Sequence, residues 1–363
     1  MLFKPDWDET RERFEKWWAG EYFGRCAMAV TAPKDNPPPV AALPPRPKTP
    51  HDYYHDIEWW LLHWEHEMSG KFYGGEALPV WHMGYPGHAS IPVFLGCPFS
   101  LNWDTAWVHP HPDFIRLEEP DFRRLEINQN HPEYRFVIAA AKKAREWCKG
   151  KCLMTIGALG SSGDDLASLR GTEKLLYDCA ERPEWVRAAD RYLIEIWCQH
   201  YQTLYGLIHD VDEGSHSWIE STWSPGKMYP VQNDFSYNIS PAMFRDLFLE
   251  SIRHQTEFLD HSVYHLDGYR AFVHADALCE LPRLHAIQVH PGAGGKGSAL
   301  HYMDVLKKIQ KAGKNIWMYL SPEEVKTALD NLSAKGLFIV TTVGREQDAR
   351  NLLEQAAKWS KVR

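Results

Sequence analysis

The sequence predicts a (β/α)8 barrel. Three observations carry this: eight short apolar runs with strand character, helical patterns between them, and no Gly-x-Gly-x-x-Gly after any run to support an open dinucleotide-binding sheet. The runs are residues 26–31, 78–83, 152–158, 216–219, 262–266, 286–290, 316–320 and 337–343. With 363 residues, 44% of them apolar, the chain can bury a large core and still carry insertions.

The elements follow in order. A charged helix is expected over 6–19, with Phe14, Trp17 and Trp18 on its inner side. Eight prolines between Pro33 and Pro50 make a rigid surface connection. A second helix over 52–68 repeats Tyr53, Ile57, Trp60, Leu61, Trp64 and Met68 at helical spacing. That broad aromatic face is a candidate homodimer surface. Residues 1–75 therefore read as an N-terminal helical extension of a single barrel domain spanning 1–363. Residues 84–131 are rich in proline and aromatics, with little periodicity, and read as an insertion over the active-site face. Pro183 opens a long helix through Trp185, Leu193, Trp197, Tyr201 and Leu204. Ser240-Pro241 is an N-cap followed by proline at the first helical position, for a helix expected to reach Asp260. Another helix is expected over 300–311. Ser321-Pro322-Glu323-Glu324 is a capping box, with Gly336 read as the end of its helix.

The formal net charge is -8 and no basic block stands out, which argues against nucleic acid and anionic membranes as partners. No apolar run approaches the roughly 18 residues of a membrane span, and Met1-Leu2-Phe3-Lys4-Pro5-Asp6 lacks a signal-peptide core. Seven cysteines are scattered, the nearest pair being Cys148 and Cys152. Their spacing is not that of a zinc ribbon or redox pair, so reduced thiols in a cytoplasmic protein are expected. Sixteen Trp and nineteen His, many of them between His51 and His111, point to aromatic side chains lining a cleft. Gly292-Ala293-Gly294-Gly295-Lys296-Gly297 lacks the Lys-Ser/Thr ending of a P-loop and reads as a flexible loop.

Barrel enzymes build their sites at the C-terminal ends of the strands. That rule collects Trp81 and His82 from the second strand, and Ser161, Ser162, Asp164 and Asp165 after the third. Glu220 and Trp223 follow from the fourth, with Asp234 and Tyr237 in the long loop after it. His265 and Asp267 come from the fifth strand, His290 from the sixth, and Thr341 and Thr342 from the eighth. Asp164 and Asp165 also read as helix caps, and Asp234 as a solvated loop residue. In Tyr264-His265-Leu266-Asp267-Gly268 the His and Asp are two apart, so both point to one face where the strand runs out. An imidazole beside a carboxylate suits metal binding or proton transfer. The candidate catalytic set is His265, Asp267, Asp234, Tyr237 and Glu220, with His265 and Asp267 as metal ligands. His82, Trp81, His290, Ser161 and Trp223 are the candidates for contacting a small-molecule substrate.

Several segments resemble the uroporphyrinogen decarboxylase superfamily. They are Asp165-Leu166-Ala167-Ser168-Leu169-Arg170-Gly171-Thr172-Glu173-Lys174-Leu175-Leu176 with Arg182-Pro183-Glu184-Trp185-Val186, and Asn233-Asp234-Phe235-Ser236-Tyr237-Asn238-Ile239-Ser240-Pro241-Ala242-Met243-Phe244. Tyr264-His265-Leu266-Asp267-Gly268 falls where the family has His-x-Cys-Gly or similar. The resemblance covers residues 150–360 well and the first 150 poorly. It implies a (β/α)8 barrel. It also implies one of two main activities: cofactor-free decarboxylation, a lyase reaction, or methyl transfer between a corrinoid protein and an acceptor, using zinc. The cobalamin-independent methionine synthases are a more distant branch. The sequence departs from both main branches. Gly84-Tyr85-Pro86-Gly87 follows Pro79-Val80-Trp81-His82-Met83, with no arginine to grip a tetrapyrrole's carboxylates. Asp267 stands where the methyltransferases carry their first zinc-binding Cys, and the second would fall near Thr342. A harder N/O site from His265, Asp267 and Glu220 or His290 is the alternative. Corrinoid-linked methyl transfer on a small molecule is the leading expectation, with decarboxylation second. Two further classes stay open: a glycoside hydrolase using Glu220 with Asp267, and a barrel that binds without turning over.

Overall fold

The strands are short and mostly parallel, and their side chains sort by parity into two cores. The computed structural model describes residues 1–82, 90–292 and 294–363. In chain order the strands are β1 (Ala27–Pro33), β2 (Lys71–Gly75), β3 (Val80–Trp81), β4 (Phe99–Leu101), β5 (Ala106–Val108) and β6 (Leu153–Met154). They continue with β7 (Ser215–His216), β8 (Trp223–Ser224), β9 (Met228–Gln232), β10 (His261–Asp267), β11 (Ala286–His290), β12 (Asn315–Tyr319) and β13 (Leu337–Thr342). Seven form one sheet in the order β2-β1-β13-β12-β11-β10-β9. Every pairing in it is parallel except β1 with β2. A separate parallel pair, β3–β6, and a parallel bridge between Ile156 and Ser217 continue the curve in a barrel-like arrangement. Among the described residues the hydrogen-bonded sheet does not close on itself.

Alternation explains the packing. Ala27 and Ala29 of β1, Val263 of β10, Ala286 of β11, Trp317 of β12, and Phe338 and Val340 of β13 share one core with the first helix. The intervening Met28, Val30, Tyr264, Leu266, Ile287, Val289, Met318 and Ile339 pack outward in the larger core, against the helices. This is the period of two expected of strands buried on both faces. The helix Trp7–Trp18 closes the base of the inner core at the strands' N-terminal ends. Trp17 meets Phe338 edge-on at 5.3 Å, Trp18 stacks on His261 at 4.6 Å, and Asn315 donates from Nδ2 to the Trp17 carbonyl at 2.8 Å.

Several expectations need correction. The expected strand at 216–219 is only Ser215–His216, folded back against Trp223–Ser224. The place beside β10 is taken by β9, which reads as loop because Pro230 interrupts its apolar run. Proline is tolerated there because β9 ends the ladder. The helix expected over 52–68 is two helices, Pro50–His55 and Ile57–Gly70, broken at Asp56, whose side chain accepts from Trp59 N–H. Of its predicted face, Trp60, Leu61 and Met68 are buried, while Tyr53, Ile57 and Trp64 are partly buried. The helix after Ser240 breaks at Phe248 into Pro241–Leu247 and Leu249–Phe258. The Ser321–Glu324 capping box is present, but its helix ends at Asn331. Gly336, at φ +74°, instead turns the chain into β13.

Part of the expected insertion, residues 83–89, lies outside the described residues. The remainder is anchored on the wall. Buried Arg170 pairs with buried Asp178 and donates to the carbonyls of Phe114, Leu117 and Glu118. Among the described residues no helix is long and apolar enough to cross a membrane.

Candidate active site

The parity that sends Val263 into the inner core also sends His265 and Asp267 inward, at the end of β10. Each is held by its register partner on β11. His265 Nδ1 donates to Gln288 Oε1 at 2.5 Å, and His290 Nδ1 donates to Asp267 Oδ1 at 2.7 Å. Gly268 ends the strand at φ +83°, where a Cβ would stand 2.6 Å from Tyr237 Cδ2. At Gly292, φ +68°, a Cβ would stand 2.8 Å from Gly268 Cα and 3.0 Å from Asp267 Oδ1. Two glycines therefore let two loops and a tyrosine close around Asp267.

The third part comes from β9. Gln232, in register with His265, donates to Asp164 Oδ2 at 2.9 Å, and Asp164 Oδ1 accepts from Phe235 N–H at 2.8 Å. These bonds tie the turn after β9 to the first turn of helix Ser162–Arg170. Asp234 sits in that turn. One ligand atom each from Asp234, His265 and Asp267 lie within 4.8 Å of one another.

The electrostatics are those of a site short of positive charge. The Asp234 side chain is exposed to solvent. Yet the surrounding protein, and then the Asp164 and Asp267 carboxylates, push its carboxyl well above the ordinary range. Burial also raises Asp164, against the hydrogen bond from Gln232. Burial would raise Asp267 too, but its His290 hydrogen bond and the nearby His265 and His290 hold it below the usual value. His265 is lowered by burial, which outweighs its Gln288 bond and the Asp267 charge. His290 is raised by the bond to Asp267. Three carboxyl groups thus face an imidazole kept neutral, which favours a cation or a shared proton.

Across the mouth, Trp218 meets His265 edge-on at 5.0 Å. Beyond it a cavity of about 200 Å³ is lined by His82, His216, Glu220, Thr31 and Thr342, among others. Burial lowers His82 to about 4 and takes His216 well below its ordinary value, with His82 adding to the effect. Both rings are neutral near pH 7. Glu220 lies against Tyr319, whose phenol is raised by burial and by that carboxylate.

The expected site residues therefore divide. His265, Asp267, Asp234 and His290 come together, with Tyr237 lying over Gly268. His82 and Glu220 line the neighbouring cavity. Three sit elsewhere. Trp81 faces outward in the wall, since its neighbour His82 faces in. Ser161 is buried, donating to Gln255 Oε1 at 2.7 Å. Trp223 packs on Trp7 at the base and donates to the Asp212 carbonyl at 2.9 Å. Sequence reasoning missed Gln288 and Gln232, which strand parity alone would place beside His265. It collected Asp164 on the rim but left it out of the candidate set, and it passed over His216, Trp218, Lys71 and Tyr73. Lys71 and Tyr73 lie on β2, whose Gly74-Gly75 end hides the strand pattern.

No family model matches the chain, and no curated protein matches it. Among solved structures it is similar to a methyltransferase from Methanosarcina mazei, with a TM-score of 0.62 and 13% identity. The match covers 96% of this chain and 98% of that one. At that identity the likeness is one of fold, and it extends over essentially the whole length of both chains.

Proposed function

We propose that the chain is a (β/α)8 enzyme of the uroporphyrinogen decarboxylase type that transfers methyl groups to or from a small molecule, with a corrinoid protein as partner. The observation that carries this reading is the Asp234, His265 and Asp267 cluster on the strand-end rim. The fold likeness to a methyltransferase supports it.

The donor set fits a divalent cation held by one nitrogen and two carboxylates. It does not fit a thiolate site. All seven cysteines are free, none belongs to the cluster, and the Thr342 hydroxyl is hydrogen-bonded to that of Thr31 at 2.8 Å. A bound cation would supply Lewis acidity toward the methyl acceptor. The protein's own residues do the rest. Gln288 occupies His265 Nδ1, leaving Nε2 with its lone pair for the cation. His290 offsets the charge of Asp267 and fixes one of its oxygens. Asp164 and Gln232 hold the turn that presents Asp234, and Tyr237 and Trp218 restrict water.

The raised Asp234 carboxyl favours a second reading, cofactor-free decarboxylation, with Asp234 as proton donor. Metal analysis of the purified protein, with demethylation of methylcobalamin in the presence of thiol acceptors, separates the two. The first reading expects about one divalent ion per chain, lost in H265A and D267N, together with demethylation. A metal-free protein that leaves methylcobalamin untouched and releases CO2 from a carboxylic acid would establish the second.

A further inference from the structure

The cavity beyond Trp218 carries chemistry that the cation cluster does not use. Three strands build one wall of it in register. Tyr73 of β2 pairs with Thr31 of β1, and Thr31 pairs with Thr342 of β13. Lys71 pairs with Pro33, one side-chain repeat, about 7 Å, nearer the mouth. All four of Lys71, Tyr73, Thr31 and Thr342 line the cavity, as do Trp64, His82, His216 and Glu220. Among the described residues nothing pairs with the Lys71 ammonium. His216 is wholly buried, and neither of its ring nitrogens has a hydrogen-bond partner.

The charges on these walls restrict what can fill the space. His82 and His216 are neutral, leaving one ammonium, Lys71, and one carboxylate, Glu220. A lone anion would face Glu220, and a lone cation would face Lys71. A neutral ligand would pair neither charge. A molecule with both charges satisfies both walls. Trp64 lines the cavity, and the Tyr319 phenol lies against Glu220. A volume of about 200 Å³ equals some six or seven waters, which limits the ligand to a short spacer.

We propose that this cavity binds a small zwitterion, an ammonium carboxylate, with its carboxylate on Lys71 and its ammonium on Glu220. This rests on the reading of the barrel mouth as a small-molecule site and names the class of substrate held there. Tyr73, Thr31 and Thr342 offer hydroxyls beside the carboxylate end, and the unpartnered His216 ring offers a further polar contact.

The test is calorimetric binding of three near-isosteres: N,N-dimethylglycine, 3-methylbutanoate, which keeps only the carboxylate, and dimethylglycinamide, which keeps only the amine. It is run on chelator-stripped wild type and on D267N, so that loss of the cation cluster does not affect the result. Dimethylglycine should bind about tenfold or more tighter than either partner, in both proteins. K71M should remove its advantage over the amide and K71R restore it, while E220Q should remove its advantage over 3-methylbutanoate. Equal binding of dimethylglycine and 3-methylbutanoate by wild type overturns the proposal. So does the absence of saturable binding by all three. Wild-type discrimination is decisive even if a variant fails to fold.

Discussion

Gln288 fixes the tautomer of His265. Its Oε1 can only accept, so the hydrogen in the 2.5 Å contact belongs to His265 Nδ1, and Nε2 is left as a base or ligand. Replacing Gln288 with Leu should therefore weaken divalent-cation affinity about 10- to 100-fold without changing the ligand count. Competition against a fluorescent chelator measures this. Unchanged affinity in Q288L would show that the ring is oriented by something else.

Gly268 should tolerate no side chain. At φ +83°, with Tyr237 2.6 Å from where a Cβ would stand, G268A combines a strained backbone with a clash. A loss of about 1–3 kcal/mol is expected in denaturant unfolding. Because Tyr237 must move, metal affinity should fall as well. G294A, at a position with open space around it, is the matched control for backbone strain alone.

Glu76 governs acid stability. It is fully buried and receives Arg25, Arg13 and the Met28 N–H, all at 2.6–2.7 Å. Burial works to raise its carboxyl, but these partners hold it at about 2, against an ordinary 4.5. A depressed folded value means stability that is full above about 4.5 and lost as pH falls toward 2. The amount at neutral pH is about 3 kcal/mol. E76Q should be less stable at pH 7 and show a shallower acid transition, as followed by circular dichroism.

Asp190 has the opposite sign. Burial raises it to about 7, against hydrogen bonds from Ser251 and Ser162, and one carboxyl oxygen has no partner. The folded state then binds the proton more tightly than the unfolded state. Its contribution to stability falls as pH rises from 3.8 to about 7. D190N should match wild type near pH 4 and exceed its melting temperature at pH 8. A gain of equal size at both pH values would refute a titrating Asp190.

How far the fold could be read depended on local regularity. β10, β11, β12 and β13 stand out because each is an apolar run ended by a turn or cap signal. β9 did not, because Pro230 breaks its run and only pairing with β10 makes it a strand. Asp234 therefore reads from sequence as part of a long loop, whereas it lies just beyond a strand adjacent to His265. His265 and Asp267 were legible because two-residue spacing on a strand is a local property. Lys71 was not, because its place at the mouth depends on pairing with Pro33, 38 residues away, and Asp164 was legible as a rim residue but not as the partner of Phe235, about 70 residues on.

The aromatic helix at the base has a consequence for synthesis. The helix Trp7–Trp18 is made long before several of the residues that cover it. Trp18 donates to the carbonyl of Trp223, 205 residues on, and the Trp17 carbonyl accepts from Asn315, 298 residues on. Until Trp223, and then β12 and β13, are made, the buried Trp7, Phe14, Trp17 and Trp18 side chains lack their long-range aromatic partners. The nascent chain therefore exposes these apolar side chains until their partners emerge, an aggregation hazard during synthesis.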